Sequence, residues 1–271
     1  MFDRVRVRFI SSVLFAPLML ALITYSAWTC FALLLFVALA TVVEFYSLGQ
    51  KMAVFPQKIW GTSLVCILYS VVFAVLHCKV SYLWMCIVPA AVSLVYLFEL
   101  YAKHRSPFTN IAYTLTGLLY VGGGFSLLHA AAFSPSGVYN CEVVAGALLL
   151  TWANDTGAYL LGSALGKRKL FERISPNKSW EGAFGGAIAV MCTSCALSFQ
   201  CSAFPQTYWI GLGIIAAVCG TYGDLVESML KRSAGVKDSG CVIPGHGGLL
   251  DRFDSLLMMA PWMWCFTKFM E

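Results

Sequence analysis

The sequence predicts an all-α polytopic membrane protein with about nine transmembrane helices. Of its 271 residues, 59% are hydrophobic and 11% are charged, and the mean hydropathy is +0.77. Soluble domains carry about 25% charged residues, so this composition argues against a water-soluble fold with a large core. The apolar residues also fall in runs that approach the ~20 residues needed to span a bilayer.

Nine apolar segments follow one another along the chain. They cover roughly residues 9–25, 28–48, 59–76, 80–100, 111–132, 143–165, 183–200, 207–222 and 255–270. The first segment follows Arg4, Arg6 and Arg8, as in a signal peptide. However, residues 25–28 make a poor cleavage site and a second apolar run follows at once, so we expect an uncleaved first span.

The basic residues predict the orientation of these spans. With the N-terminus in the cytoplasm, all Lys and Arg residues except Lys79 and Lys268 fall in cytoplasmic segments. This asymmetry agrees with the positive-inside rule, and it places the C-terminus outside. The two large polar loops, 166–182 and 223–254, then lie on the cytoplasmic side, where a phosphorylated molecule of the cytosol can reach them.

The polar loop 223–254 carries the densest candidate chemistry. On a helix that continues the eighth apolar segment, one face holds five polar side chains: Asp224, Glu227, Ser228, Lys231 and Arg232. An interfacial face of ion pairs with snorkelling side chains is the alternative interpretation. Acidic residues beside glycine at the end of a span favour a functional site.

A glycine turn, Pro244–Gly248, and three charged residues follow in the same loop. Such a turn lets backbone N–H groups approach a phosphate. In the alternative, purely structural interpretation, Asp251 is the N-cap of the last helix with Asp254 as its capping acid, and Asp251 can bind a metal at the same time. Carboxylates and basic residues together suit phosphoryl or nucleotidyl transfer, because Mg²⁺ binds one or two carboxylates plus substrate phosphates.

Asp155 lies inside the sixth apolar segment, where an acidic residue is costly and by default functional. A hydrogen bond that packs two helices is the alternative. The stretch Gly162–Lys167 is similar to a P-loop but has one residue too few between its glycines, and Arg168 replaces the metal-binding Ser or Thr, so we reject a Walker site. The basic run 167–169 is either topogenic charge or a phosphate contact.

Residues 175–182 are predicted to begin the seventh helix. Ser175 is expected to be the N-cap, with Pro176 at the first helical position. Lys178 and Glu181, three residues apart, would then face the cytosol.

These motifs resemble the C-terminal signature of the phosphatidate cytidylyltransferases, the CDP-diacylglycerol synthases. The matching residues are Ser228-x-x-Lys231-Arg232, Lys237-Asp238, Pro244-Gly245-His246-Gly247-Gly248 and Asp251-Arg252-x-Asp254. Residues 154–159 and 175–182 resemble upstream motifs of the family, although Asn177-Lys178-Ser179-Trp180 stands where the family usually has Lys-Lys-Thr-Trp. The resemblance covers roughly residues 150–255, so we divide the chain into an N-terminal scaffold, 1–140, and a C-terminal catalytic region, 141–271.

The resemblance implies a homodimeric membrane enzyme that makes CDP-diacylglycerol and pyrophosphate from CTP and phosphatidate with Mg²⁺, without a nucleic-acid partner. It assigns Asp224 and Asp251 as the metal ligands with Ser228 close by, and some members hold a second, potassium-like cation. The candidate phosphate ligands are Lys231, Arg232, Lys237, His246 and Arg252, with Gly247 and Gly248 in the turn. We expect Asp155, Lys178 and Glu181 behind these residues, or at the cytidine or lipid headgroup.

Two other functions fit parts of the pattern. A CTP-dependent lipid kinase would transfer the γ-phosphate and release CDP. A transporter would use Asp155 as a coupling site, but transport predicts charged groups in both halves of the membrane, whereas here they gather on one side. We expect a multi-pass protein of a bacterial inner membrane, because the sequence carries no additional targeting segment or soluble extension.

Overall fold

The computed structural model describes residues 15–201, 203–240 and 247–271. These residues form ten α-helices and one antiparallel pair of strands. The helices are α1 (Phe15–Tyr25), α2 (Ala27–Lys51), α3 (Lys58–Leu76), α4 (Ile87–Ala102), α5 (Pro107–Gly117), α6 (Gly124–Ala130), α7 (Cys141–Leu165), α8 (Trp180–Gln200), α9 (Gln206–Ser233) and α10 (Leu250–Met270). The strands are β1 (Lys169–Phe171) and β2 (Ser175–Ser179).

Each predicted apolar segment corresponds to one continuous helix in the described residues. A 3₁₀ turn, Tyr82–Cys86, leads directly into α4, and a π-helical turn, Leu118–Gly123, joins α5 to α6. By length and composition, six of the continuous helices can cross a membrane: Ala27–Lys51, Lys58–Leu76, Tyr82–Ala102, Pro107–Ala130, Trp180–Gln200 and Gln206–Ser233. The all-α polytopic membrane fold is thereby confirmed. Arg4, Arg6 and Arg8 lie outside the described residues, and the orientation stays a prediction.

The predicted start of the seventh helix was wrong. Residues Ser175–Ser179 are extended and pair with β1, and α8 begins at Trp180 with Ser179 as its N-cap. The Ser179 hydroxyl accepts a hydrogen bond from the Gly182 N–H at 3.1 Å. A proline disfavours helical geometry at the residue before it and is tolerated on an edge strand, so Pro176 suits this two-stranded hairpin.

Small residues bring the C-terminal helices close together. A Cβ on Gly157 of α7 would lie 2.5 Å from the carbonyl oxygen of Gly185 on α8. A Cβ on Gly223 of α9 would lie 2.8 Å from the carbonyl oxygen of Asp254 on α10. Glycines at such points let membrane helices approach closely. As a result, α7 lies against α8, and α9 against α10, with their backbones in contact.

The hydrophobic core runs through both parts of the chain. Tyr46 of α2 is fully buried, and its hydroxyl donates to the carbonyl of Thr114 on α5 at 2.8 Å. Phe125 of α6 and Phe253 of α10 are both buried, with ring centroids 5.5 Å apart. The N-terminal helices therefore support α10 directly. The functional division at residue 140 stays a prediction.

Candidate active site

The C-terminal end of α9 presents the polar face that the sequence predicts. This helix continues to Ser233 and is 28 residues long. The Ser228 hydroxyl donates to Asp224 Oδ1 at 3.3 Å, one turn away. Lys231 forms an ion pair with Glu227 at the same spacing. Glu227 is only 1% exposed, so this face is turned into the protein and is not a solvated helix surface.

Asp224, Glu227 and Asp254 form an acidic cluster. One carboxylate oxygen from each lies within 4.8 Å of the others. Glu227 and Asp254 are buried and Asp224 is partly exposed. Carboxylates this close repel one another unless a cation or a proton lies between them, and hard divalent cations such as Mg²⁺ take oxygen ligands. The donor set therefore fits a divalent cation.

The cluster forms because α9 and α10 touch at their backbones. The absence of a side chain at Gly223 allows the contact with α10 described above. One turn earlier, the Ser255 hydroxyl donates to the carbonyl oxygen of Gly220 at 3.0 Å. These contacts place Asp254 beside Asp224, a proximity that depends on tertiary packing and not on spacing along the chain.

Asp251, the other predicted metal ligand, is held by a different set of contacts. Lys231 Nζ lies 2.5 Å from Asp251 Oδ1. Asp251 Oδ2 accepts from the N–H of Gly248 at 2.9 Å, and from the N–H and hydroxyl of Ser239 at 3.1 and 2.9 Å. Because Lys231 also contacts Glu227, the Asp251 carboxylate lies next to the acidic cluster. Its role as a metal ligand stays a prediction.

The start of α10 differs from the prediction. The N-cap is Leu249, so Asp251 lies inside the first turn, and its predicted N-cap role with Asp254 as capping acid was wrong. The N–H groups of Leu249 and Leu250 donate to Glu44 of α2, at 3.0 and 2.9 Å. The sequence analysis missed Glu44, although an acidic residue inside the second apolar segment was a signal for it.

A cavity of about 590 Å³ opens beside the acidic cluster, between α7, the hairpin, α8 and α9. Its polar lining includes Asn154, Asp155, Ser175, Asn177, Lys178 and Asp224. Lys178 Nζ lies 2.6 Å from Asp224 Oδ2. The Oδ1 atom of Asn154 is buried and has no hydrogen-bond partner within the described part of the chain. The predicted residues Asp155 and Lys178 are thus brought together with Asp224, and Asn154 joins them.

Glu181 and Arg232 hold the hairpin in place. The Glu181 carboxylate accepts from the N–H groups of Lys167 and Arg168 at 3.1 and 3.2 Å. Arg232 donates to the carbonyl of Ile174 in the hairpin at 3.4 Å. Neither Glu181 nor Arg232 lines the cavity.

The remaining predicted residues lie around the α9–α10 connection. Lys237 and Arg252 are exposed. Gly247 has a positive φ of 81°, and a Cβ there would lie 2.9 Å from Asp251 Oδ2, so this position needs glycine. His246 lies outside the described residues, as do Pro244 and Gly245.

Comparison with known proteins shows the family of this chain. The sequence profile of the cytidylyltransferase family matches residues 6–270. The chain belongs to the cytidylyltransferase family. Phosphatidate cytidylyltransferases of Staphylococcus aureus (strain COL) and Staphylococcus haemolyticus (strain JCSC1435) are each 40% identical to it over 166 residues. The protein of that name from Staphylococcus epidermidis (strain ATCC 35984) is 38% identical over 166 residues.

The alignments with these cytidylyltransferase relatives cover 60% of this chain and 62% of each relative. The matched part is thus less than two thirds of the relatives' length. The family profile extends from the first apolar segment to α10, so the cytidylyltransferase fold includes the N-terminal helices as well as the candidate site.

Proposed function

We propose that this protein makes CDP-diacylglycerol and pyrophosphate from CTP and phosphatidate at the membrane surface, as a step of phospholipid biosynthesis. The observation that carries the proposal is the acidic cluster of Asp224, Glu227 and Asp254 beside the cavity that Lys178 lines. The name of the relatives, phosphatidate cytidylyltransferase, supports the choice of substrates. The polytopic membrane fold supports access to a lipid phosphate.

The reaction joins two phosphates. A phosphate oxygen of phosphatidate attacks the α-phosphorus of CTP. The new P–O bond forms as the bond from the α-phosphorus to the oxygen shared with the β-phosphate breaks, and that oxygen leaves with pyrophosphate. A phosphate monoester has its second pKa at about 6, so the nucleophile is already ionised near neutral pH. The protein therefore contributes positioning and charge stabilisation.

The acidic cluster would hold the divalent cation that the family resemblance implies. Asp224, Glu227 and Asp254 supply the carboxylate oxygens, and Asp251 is the further predicted ligand. A bound Mg²⁺ supplies positive charge that offsets the charge on the transferring and leaving phosphates. A second, monovalent cation is part of the family pattern and stays a prediction for this chain.

The chain's own cations act on the phosphates. Lys178 stands in the cavity wall at the cluster and binds a phosphate oxygen of the nucleotide. Lys231 forms ion pairs with the carboxylates of Glu227 and Asp251 and keeps them oriented. Lys237 and Arg252 are exposed, and in this proposal they attract the incoming polyanion.

We further propose a homodimer in a bacterial inner membrane, on the basis of the family resemblance and the bacterial relatives. A CTP-dependent lipid kinase shares the nucleotide and the membrane setting, but the relatives' name favours cytidylyl transfer. A transporter is disfavoured because the relatives' name denotes an enzyme.

The test is an assay of the purified protein in detergent micelles with phosphatidate, Mg²⁺ and CTP labelled in the α-phosphate. The expected result is label in the lipid product with release of pyrophosphate. Label that stays in soluble CDP, with a phosphorylated lipid alcohol as product, would identify a kinase. Absence of CTP turnover with any lipid would contradict both enzymatic functions.

A further inference from the structure

Glu44 of α2 reaches the first turn of α10, about 200 residues away in the chain. Its Oε1 atom accepts from the Leu249 N–H at 3.0 Å, and its Oε2 atom accepts from the Leu250 N–H at 2.9 Å. Glu44 is only 6% exposed. A buried carboxylate inside an apolar helix needs partners of this kind, and here the partners belong to the helix that carries Asp251 and Asp254.

The contact supplies a missing helix cap. The first N–H groups of an α-helix have no partner within the helix, and a polar side chain at the N-cap normally accepts from them. The N-cap of α10 is Leu249, whose aliphatic side chain accepts no hydrogen bond. The Glu44 carboxylate, on another helix, accepts these hydrogen bonds instead. Its negative charge complements the positive end of the α10 dipole.

The same carboxylate is linked to Asp251 through Ser239. The Ser239 hydroxyl lies 3.2 Å from Glu44 Oε2 and 2.9 Å from Asp251 Oδ2. A hydroxyl has one proton to donate, so it donates to one of the two carboxylates at a time. The Ser239 N–H also donates to Asp251. Glu44, Ser239, Asp251 and the start of α10 therefore form one hydrogen-bonded unit.

We propose that Glu44 is a positioning residue of the candidate active site and that it fixes the rotation and depth of the first turn of α10. This inference rests on the proposed function, and it gives α2, part of the predicted scaffold, an indirect role in the reaction, through the first turn of α10. Asp251 and Asp254 follow Leu250 within about one turn, so a shift of that turn moves both carboxylates relative to Asp224 and Glu227 on α9.

The test compares Glu44→Gln with the matched control Glu99→Gln. Glu99 of α4 is also buried, at 2% exposure, and its carboxylate accepts from Gln57 and Asn110 and contacts His104. Both substitutions remove a buried charge from the N-terminal helices. In Glu44→Gln, however, the amide NH₂ would face a backbone N–H of α10, so one of the two cap bonds is lost.

The measurements are kcat, the apparent KM for CTP, the half-saturating Mg²⁺ concentration and the thermal unfolding midpoint in detergent. For Glu44→Gln we expect a fall in kcat of roughly 10-fold to 100-fold and a rise in half-saturating Mg²⁺, as when a residue that orients metal ligands is changed. For Glu99→Gln we expect a lower unfolding midpoint with kcat and Mg²⁺ dependence unchanged. Equal kcat and equal half-saturating Mg²⁺ concentration in the two variants, counted per folded molecule, would overturn the proposal.

Hydrogen–deuterium exchange of the full-length protein provides a readout that does not depend on turnover. We expect faster exchange of the Leu249 and Leu250 amides in Glu44→Gln, and unchanged exchange there in Glu99→Gln. If the wild-type protein does not turn over CTP, the proposed function fails, and Glu44 is then judged by Mg²⁺-dependent protection of residues 247–254. Protection that is lost only in Glu44→Gln supports positioning, and equal protection in both variants overturns it.

Discussion

Lys178 of β2 and Asp224 of α9 form an ion pair across the candidate site, with Nζ 2.6 Å from Oδ2. Both side chains are partly exposed, at 24% and 39%, and both line the same cavity. The pair therefore joins the hairpin to the acidic cluster at the place where an anionic ligand would enter. Its partial exposure leaves Lys178 able to exchange Asp224 for a phosphate oxygen.

Replacing Lys178 by Met should weaken nucleotide binding and catalysis. A charge-assisted hydrogen bond to a phosphate is lost, so we expect kcat/KM for CTP to fall by roughly 10-fold to 100-fold, which corresponds to about 1.5–3 kcal/mol. The measurement is steady-state kinetics with CTP varied at saturating phosphatidate. Arg173→Met, which removes an exposed charge from the turn of the same hairpin, is the control and should change kcat/KM less than 2-fold. Equal losses in both variants would contradict a specific contact.

Removing one carboxylate of the acidic cluster should lower the activity of the protein without lowering its thermal stability in EDTA. For Asp254→Asn we expect Mg²⁺-dependent activity to fall by about 10²-fold, because a ligand of the divalent cation is lost. In EDTA, where no divalent cation offsets the repulsion among the three carboxylates, the same variant should unfold at the same or a higher temperature than the wild-type protein. Glu172→Gln, in the exposed turn of the hairpin, should change neither quantity. A variant that keeps full activity with unchanged Mg²⁺ dependence would remove Asp254 from the metal site.

Lys231 should stabilise the fold as well as the site. Its Nζ atom contacts the carboxylates of Glu227 and Asp251, and its side chain is only 12% exposed. Lys231→Met leaves these carboxylates without their cation, so we expect a loss of about 3 kcal/mol in the free energy of unfolding. Denaturant unfolding in detergent measures it. Adding Glu227→Gln to the variant should recover part of the loss, and strictly additive effects would contradict the coupling.

Much of the fold could be predicted because membrane helices are recognisable in a sequence as long apolar runs. Each predicted segment corresponds to a helix, and the polar face of α9 follows from residues spaced three and four positions apart. The hairpin was missed because its strands are three and five residues long, too short for a periodic pattern. In addition, Pro176 is compatible both with the first position of a helix and with an edge strand, so it did not distinguish the two.

Several residues of the candidate site could be predicted from the sequence, but the contacts between them could not. Asp224, Lys231 and Asp251 were recognised as candidates. In the structure Lys231 contacts Asp251, and Asp224 belongs to the acidic cluster. Asp254 lies beside Asp224 because the backbones of α9 and α10 are in contact. Glu44 caps α10 through a contact between distant parts of the chain. Local patterns carry no information on either contact, since both arise from tertiary packing.

The close packing of α7 against α8 leads to a last prediction, for Gly185. A Cβ at this position would lie 2.5 Å from Leu161 Cβ and 2.7 Å from the carbonyl oxygen of Gly157, and real Cβ atoms do not approach a backbone oxygen so closely. Gly185→Ala should therefore force the helices apart and lower the free energy of unfolding by about 1–3 kcal/mol. Because α7 and α8 form two walls of the cavity, the apparent KM for CTP should rise in the same variant.

The control for Gly185 is Gly123, in the π-helical turn. The nearest atom to a Cβ on Gly123 is the carbonyl oxygen of Leu118 at 3.9 Å, so a methyl group fits there without displacement. Gly123→Ala should leave the unfolding free energy unchanged or raise it by up to about 1 kcal/mol, because alanine restricts the unfolded chain more than glycine does. Thermal and denaturant unfolding of both variants in the same detergent measure the difference. If Gly185→Ala were as stable as Gly123→Ala, the direct contact between α7 and α8 at this position would be disproved.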